Sequence, residues 1–310
     1  SSCSKKLEQG PIAPPFLSID TPWADSMMTV MSPDERIAQL FMIAANSPDG
    51  EEQFKKVDTL VADYGVGGLV FFKGHPTEQL KLTNRFQYKA RIPLMVGIDG
   101  EWGLKMRLQD TRKYPYQMTL GGLNKDDLIY KMGEEIGQEC NSMGIHINFA
   151  PVADINNNSN NPIINFRSFG ENKEKVANYS LAYAKGMQAK NVIACAKHFP
   201  GHGDTETDSH KGLPSLPFTK ERLDSLELYP FKHLFSNGVI STMVAHMSIP
   251  VYDNRPNRAA SISDKVVTDL LQKELGFNGL IFTDALNMKG VSKYYEPGEL
   301  DLIAFEAGND

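Results

Sequence analysis

Cysteine is scarce in this chain. The three present in 310 residues, Cys3, Cys140 and Cys195, stand too far apart to build a disulfide framework or a Cys/His zinc site. Long apolar runs are missing too, since none reaches the roughly 18 residues that a membrane-spanning helix needs. Nor is there any block of basic residues. With a net charge of -6, the chain lacks the electrostatic footprint of a nucleic-acid binder. No internal repeat or low-complexity tract appears, and no G-x-G-x-x-G follows the first apolar run, so there is no dinucleotide fingerprint. What remains is an ordinary globular composition, 41% hydrophobic and 23% charged, long enough for one large domain or two small ones.

Short apolar runs alternate with amphipathic stretches. The runs cover 40–44, 68–72, 94–98, 145–150, 192–196, 242–245 and 280–282. Most show no polar alternation, as expected of strands buried on both faces. Between them, residues 125–143 carry Leu128, Met132, Ile136 and Cys140 at i+4 spacing, with Gly144 at the C′ position of the helix. Ser32-Pro33-Asp34-Glu35 is a capping box with proline at the first helical position. Ser263 caps a stretch, 264–275, that buries Val266, Val267, Leu270 and Leu271 and ends at Gly276. Cys140 falls in a helix and Cys195 in a strand, so both are expected as buried thiols.

Repeated strand–helix alternation predicts an α/β protein with a parallel sheet. Seven strands over roughly 280 residues suit a (β/α)8 TIM barrel, usually about 250 residues long. A doubly wound sheet is the alternative. Residues 1–30 read as a tether and lead-in segment, and 31–310 as the barrel. The final Ala307-Gly308-Asn309-Asp310 reads as strand eight beginning, which would leave the barrel truncated there.

A barrel predicts polar residues directly after its strands, on the face where such folds carry chemistry. Asp99, Asp154, the pair Lys197 and His198, His246, and the pair Thr283 and Asp284 each follow a different run. Five such positions in register with five strands are hard to explain as solvated surface.

The densest of them opens the stretch from Lys197 to His210, which packs three His, two Asp and two Gly into a segment too polar for a core and too rich in glycine for a helix. It reads as a loop on a rigid strand, where chemistry concentrates. Asp284, between the small residues Thr283 and Ala285, suits a fixed nucleophile, or the N-cap of a following helix. His210 has Asp208 two residues before it. A carboxylate beside an imidazole orients the ring and raises its proton affinity, which suits general acid/base work; a loop hydrogen bond is the plainer role. His198, His202, Asp204 and His210 also number enough ligands for zinc. Their spacing fits neither H-E-x-x-H nor a finger, and Lys197 would repel a cation. No metal and no cofactor is expected.

These residues carry a resemblance. Lys197 to His210 resembles the Lys-His-Phe/Ile-Pro-Gly-His-Gly-Asp-Thr-x-x-Asp-Ser-His signature of glycoside hydrolase family 3, in its β-N-acetylhexosaminidase branch, which includes peptidoglycan-recycling β-N-acetylglucosaminidases. Asn148 to Ile155, Arg167 to Gly170 and Phe282 to Gly290 are similar to the same family, so the resemblance runs from Ser32 to Asp310. It implies a TIM-barrel domain, Asp284 as nucleophile, His210 as acid/base and Asp208 as its dyad partner. It also implies that Asp99, Arg107, Arg167, Lys197 and His198 hold an N-acetylglucosamine ring. Carboxylate acceptors and Lys, Arg or His donors suit a sugar, whose hydroxyls need both. Where the family usually reads Asp-Gln-Glu-Gly-Gly-Arg, this chain has Asp99-Gly100-Glu101-Trp102-Gly103-Leu104. Asp99 and Arg107 keep their separation, while Trp102 is new and would suit stacking on a second sugar ring. The family's usual second aspartate beside the nucleophile is here Ala285.

The resemblance implies a retaining exo-β-N-acetylglucosaminidase acting on glycans or muropeptides from the cell wall. A family 3 β-glucosidase, an N-acetylglucosaminide phosphorylase and an inactive sugar-binding domain are the alternatives. The chain opens Ser1-Ser2-Cys3-Ser4 without Met, followed by a polar, proline-containing stretch to Pro15. Small residues before a cysteine resemble the end of a bacterial lipoprotein signal, with an expression or truncation scar as the alternative. The expectation is an extracytoplasmic protein, periplasmic or lipid-anchored at Cys3, with a cytoplasmic one as the alternative.

Overall fold

The structure is a computed structural model that describes residues 10–206 and 212–310. Strands β1 (Met42–Ala44), β2 (Gly68–Phe71), β3 (Met95–Ile98), β4 (Ile147–Asn148), β5 (Ile193–Phe199), β6 (Ser241–Val244) and β7 (Leu280–Thr283) fall on the seven apolar runs. They stand in sheet order one to seven. Their pairing is parallel, with Gly68 opposite Met95, Ile147 opposite Ile193 and Ser241 opposite Leu280. Helices Glu51–Thr59, Pro76–Lys89, Asp126–Ser142, Lys173–Gln188, Tyr229–Ser236 and Lys265–Glu274 fill the intervals between successive strands. Parallel strands need such crossovers, so the α/β expectation holds. No described helix is long and apolar enough to cross a membrane.

The chain forms two compact units. One comprises 18–151 and 182–195, and the other comprises residues up to 17, 152–181 and 196–310. In the first, Leu69 and Phe71 of β2, Val96 and Ile98 of β3, and Ile129 and Ile136 of the helix Asp126–Ser142 are wholly buried. That helix corrects one expectation. Leu128 is 43% exposed, and Ile129 takes its place in the core. A strict i+4 series drifts around a helix of 3.6 residues per turn, so Leu128 points about 120° away from Cys140 and Ile129 only about 20°. Gly144 follows at φ +65, the left-handed conformation of a helix stop. Ser32 accepts from the Glu35 N–H at 3.2 Å while the Glu35 carboxylate accepts from the Ser32 N–H at 2.7 Å, completing the capping box.

In the second unit, aromatic rings brace β5. Phe199 packs edge-on against Phe231 with centroids 5.4 Å apart, and Phe235 lies 4.1 Å from Phe277. The helix Lys265–Glu274 turns its buried Val266, Val267, Leu270 and Leu271 inward, and the Ser263 hydroxyl accepts from the Val266 N–H at 3.3 Å. Cys140 and Cys195 are buried, as expected. Burial pushes the Cys140 thiol up to about 12, so it stays protonated and inert.

Candidate active site

Strand β5 runs one residue past the polar pair that was expected to begin a loop. Lys197 and His198 belong to the strand and are nearly buried, 2% and 5% exposed. Backbone pairing holds them there. Ala153 N–H donates to the Lys197 carbonyl at 2.7 Å, and Ala245 N–H to the Phe199 carbonyl at 2.9 Å. The Lys197-His198 peptide is cis, as are Ala150-Pro151 and Phe199-Pro200.

A buried aspartate organises this segment. Asp154, fully enclosed, accepts from the backbone N–H of His198 at 3.1 Å and of His202 at 2.7 Å, and lies 2.7 Å from His198 Nδ1. Burial alone would raise its pKa, but His198, His202 and their hydrogen bonds outweigh it and hold the carboxyl below its usual range. On the other side of the ring, Arg167 Nη2 stands 3.3 Å from His198 Nε2. A guanidinium can only donate, so Nε2 accepts and the ring proton sits on Nδ1, aimed at Asp154.

His202 and the glycines lock the start of the signature loop. His202 Nδ1 lies 2.6 Å from Thr205 Oγ1, whose own hydroxyl donates to the His202 carbonyl at 3.1 Å. Asn161 Nδ2 donates to that carbonyl at 2.7 Å. Burial, aided by the neighbouring His198, pushes the His202 imidazole down from 6.5 to about 4. A Cβ on Gly203 would fall 1.7 Å from the Ile155 carbonyl oxygen, so close backbone approach requires glycine here. Asp204 accepts from Asn157 at 3.0 Å and from Arg222 at 2.9 Å. The zinc reading of this loop thus meets side chains already engaged with protein partners. Among the described residues, no three His, Cys, Asp or Glu gather to hold a metal.

Asp284 follows β7 directly. Its N–H donates to the Val244 carbonyl at 2.9 Å, and its Oδ1 accepts from the Ala285 N–H at 2.8 Å. The next helix starts at Lys289 with Met288 as its N-cap, so Asp284 does not cap it. Burial works to raise its pKa, but His246, His198, the Ala285 N–H and Lys197 together hold the carboxyl below the ordinary value. Such a carboxylate is ionised at neutral pH, as a nucleophile must be. His246, beyond β6, is wholly buried, with Nδ1 2.6 Å from Ser261 Oγ and Nε2 2.9 Å from the Ala285 carbonyl.

In the other unit, the turn after β3 brings Asp99 and Arg107 together, with Arg107 Nη2 donating to Asp99 Oδ2 at 2.7 Å. The Arg107 guanidinium also lies over Phe72, 5.4 Å from its centroid. Trp102 packs edge-on against Tyr116 at 4.9 Å. Asp208 and His210 lie outside the described residues, as does Cys3.

The geometry thus joins Lys197, His198, Arg167 and Asp284 in one unit, and Asp99 with Arg107 in the other. Sequence reasoning marked Asp154 and His246 by their positions after strands but assigned them no task. Thr205 stood in the signature without a task, while Asn161 and Ser261 carried no signal, because their partners lie on other segments.

Residues 32–310 match the sequence profile of the glycosyl hydrolase family 3 N-terminal domain. The chain is 36% identical over 280 residues to β-hexosaminidase A of Pseudoalteromonas piscicida, covering 82% of this chain and 46% of that protein. It is 34% identical over 259 residues to a β-hexosaminidase of Neisseria meningitidis, covering 80% of this chain and 71% of the other. Among solved structures, a family 3 β-N-acetylglucosaminidase from Paenibacillus sp. str. FPU-7 superposes with a TM-score of 0.85 at 37% identity, over 91% of this chain and 54% of that one. The chain therefore spans about half the length of the first of these curated relatives and of that solved structure.

Proposed function

The chain belongs to glycosyl hydrolase family 3, and we propose that it provides the catalytic domain of a retaining exo-β-N-acetylglucosaminidase acting on cell-wall-derived glycans. The observation that carries this reading is the ionised Asp284 at the end of β7, under the joint influence of His246, His198 and Lys197. The relatives named β-hexosaminidase support the sugar class.

In this reading the Asp284 carboxylate attacks the anomeric carbon and forms an ester bond to the sugar. The glycosidic bond breaks as its oxygen takes a proton from His210, whose ring Asp208 orients. His210, now neutral, removes a proton from water, which attacks the same carbon and frees the carboxylate. Two displacements retain configuration. Lys197, His198 and Arg167 are read as holding sugar oxygens, a role the resemblance also implies for Asp99 and Arg107. Asp154 gives His198 one fixed tautomer for that task.

The sheet is read as part of a (β/α)8 barrel. Supporting this, the Asp310 N–H donates to the Ile281 carbonyl at 2.9 Å, beside β7. The protein is further read as extracytoplasmic and lipid-anchored through Cys3. Fractionation of the native host with and without a Cys3→Ala substitution tests the anchor, and an unchanged distribution removes it.

The activity is tested by turnover of chromogenic N-acetylglucosaminide, glucoside and xyloside, with and without inorganic phosphate. Preference for the N-acetylglucosaminide with release of the free sugar is expected. A sugar 1-phosphate product would make the protein a phosphorylase, preference for the glucoside a β-glucosidase, and no turnover a binding domain.

A further inference from the structure

We propose that His246, held by Ser261, is a positioning residue that sets the orientation and charge of Asp284. This rests on the reading of Asp284 as the nucleophile.

The turn bearing Asp284 is tied at three points. Asp284 N–H donates to Val244 of β6, and Ala285 N–H returns to Asp284 Oδ1. The third tie is the Ala285 carbonyl, 2.9 Å from His246 Nε2. A carbonyl only accepts, so Nε2 carries the ring proton. The Ser261 hydroxyl, 2.6 Å from Nδ1, pairs with the other nitrogen, donating to a neutral ring and accepting from a protonated one, so the ring keeps its orientation in either state.

Ser261 is itself immobilised. Its side chain is wholly buried, its N–H donates to the Ala245 carbonyl at 3.1 Å, and its carbonyl accepts from Asn309 Nδ2 at 2.9 Å. The rigid line from Ser261 through His246 to Ala285 ends one peptide from the reacting carboxylate. The Ala285 peptide is held on both sides, by His246 at its carbonyl and by Asp284 at its N–H. If the His246 tie is lost, the peptide can rotate, and the carboxylate turns with it. Displacements of this size cost catalysis far more than they cost folding.

Electrostatics point the same way. Among the described residues, His246 beyond β6, Lys197 and His198 of β5, and the Ala285 N–H favour the ionised carboxyl of Asp284 against its burial. Removing His246 therefore raises the Asp284 pKa.

The test uses the full chain with His246→Ala, His246→Gln and Ser261→Ala, each checked for an unchanged Tm. Two readouts are taken: kcat and KM across pH on an aryl N-acetylglucosaminide, and the Asp284 carboxyl titration by 13C NMR. For His246→Ala, kcat is expected to fall about 100-fold while KM moves less than about threefold, since orientation and not binding is lost. The acidic limb of its rate profile and the NMR titration both move to higher pH. His246→Gln, whose amide can still donate to Ala285, recovers most of kcat. A folded His246→Ala with wild-type kcat and an unmoved titration overturns the proposal, as does a Gln variant as impaired as Ala with an unmoved titration. If the wild type turns over no N-acetylglucosaminide, the functional reading fails; the substrate-free titration still decides the positioning role. If His246→Ala does not fold, Ser261→Ala, which removes one hydroxyl, decides on the same two readouts.

Discussion

The carboxylate of Asp154 lies 2.7 Å from Nδ1 of His198, and the aspartate is wholly buried. This contact decides which nitrogen of the imidazole is offered to Arg167. The same carboxylate takes two backbone N–H groups from the signature segment, so loop shape and ring tautomer depend on one side chain.

Asp154→Asn is expected to break both functions at nearly constant volume. The amide has one acceptor oxygen and one NH2 group, which must oppose a donor whichever way it turns. With oxygen toward the backbone N–H groups, NH2 faces Nδ1 and drives the ring proton to Nε2, against Arg167. A mispaired buried donor costs about 1–3 kcal/mol. Urea unfolding should register a loss of that size, and KM for an aryl N-acetylglucosaminide should rise about tenfold as one sugar contact worth roughly 1.4 kcal/mol is lost. An unchanged KM would show that His198 does not hold the sugar.

The pH dependence of stability gives a second expectation, centred on His202. Its imidazole falls from 6.5 to about 4 in the folded chain. Between those values the unfolded chain binds a proton that the folded chain refuses. The stabilisation is therefore complete above about pH 6.5 and is lost as pH falls toward 4. A shift of that size corresponds to about 3 kcal/mol. Asp154, also held low, adds a loss in the same direction but below the ordinary carboxylate range. Urea unfolding free energies at pH 7 and pH 4.5 measure the difference. In His202→Gln, which cannot take up the proton, the slope across this window should shrink, leaving what His146 and His233, also held low by burial, contribute. A slope as steep as wild type would assign it to other groups.

The sheet was legible because fully buried parallel strands write themselves as unbroken apolar runs. Strand β5 escaped at its C-terminal end, since Lys197 and His198 do not look like strand core; their burial depends on Ala153 and Asp154, some 44 residues away. Leu128 misled because i+4 spacing is only an approximation to 3.6. The roles of Asp154 and His246 were hidden for another reason. A hydrogen bond from His246 to Ala285 joins positions 39 residues apart, and no local pattern encodes it. What local sequence did reveal was their place after strands, which limited the search to a few side chains.

Asp284→Ala is expected to leave the fold intact and remove turnover. Folding should survive because the backbone tie to Val244 remains and, among the described residues, the carboxylate accepts from its neighbour's N–H. Removing a nucleophile that acts with other groups costs on the order of 10⁴-fold or more in kcat. Azide should restore part of the rate by entering the space the carboxylate leaves. The configuration of the product carries the argument. Azide replacing a nucleophile attacks once, from the nucleophile's side, and yields a glycosyl azide inverted relative to the substrate. Azide replacing an acid/base would instead attack a glycosyl-enzyme already formed, and yield a retained product. NMR of the azide adduct distinguishes the two. An inverted adduct assigns Asp284 as the nucleophile. A retained adduct would move it to the acid/base role, and near-normal activity without azide would remove it from the chemistry altogether.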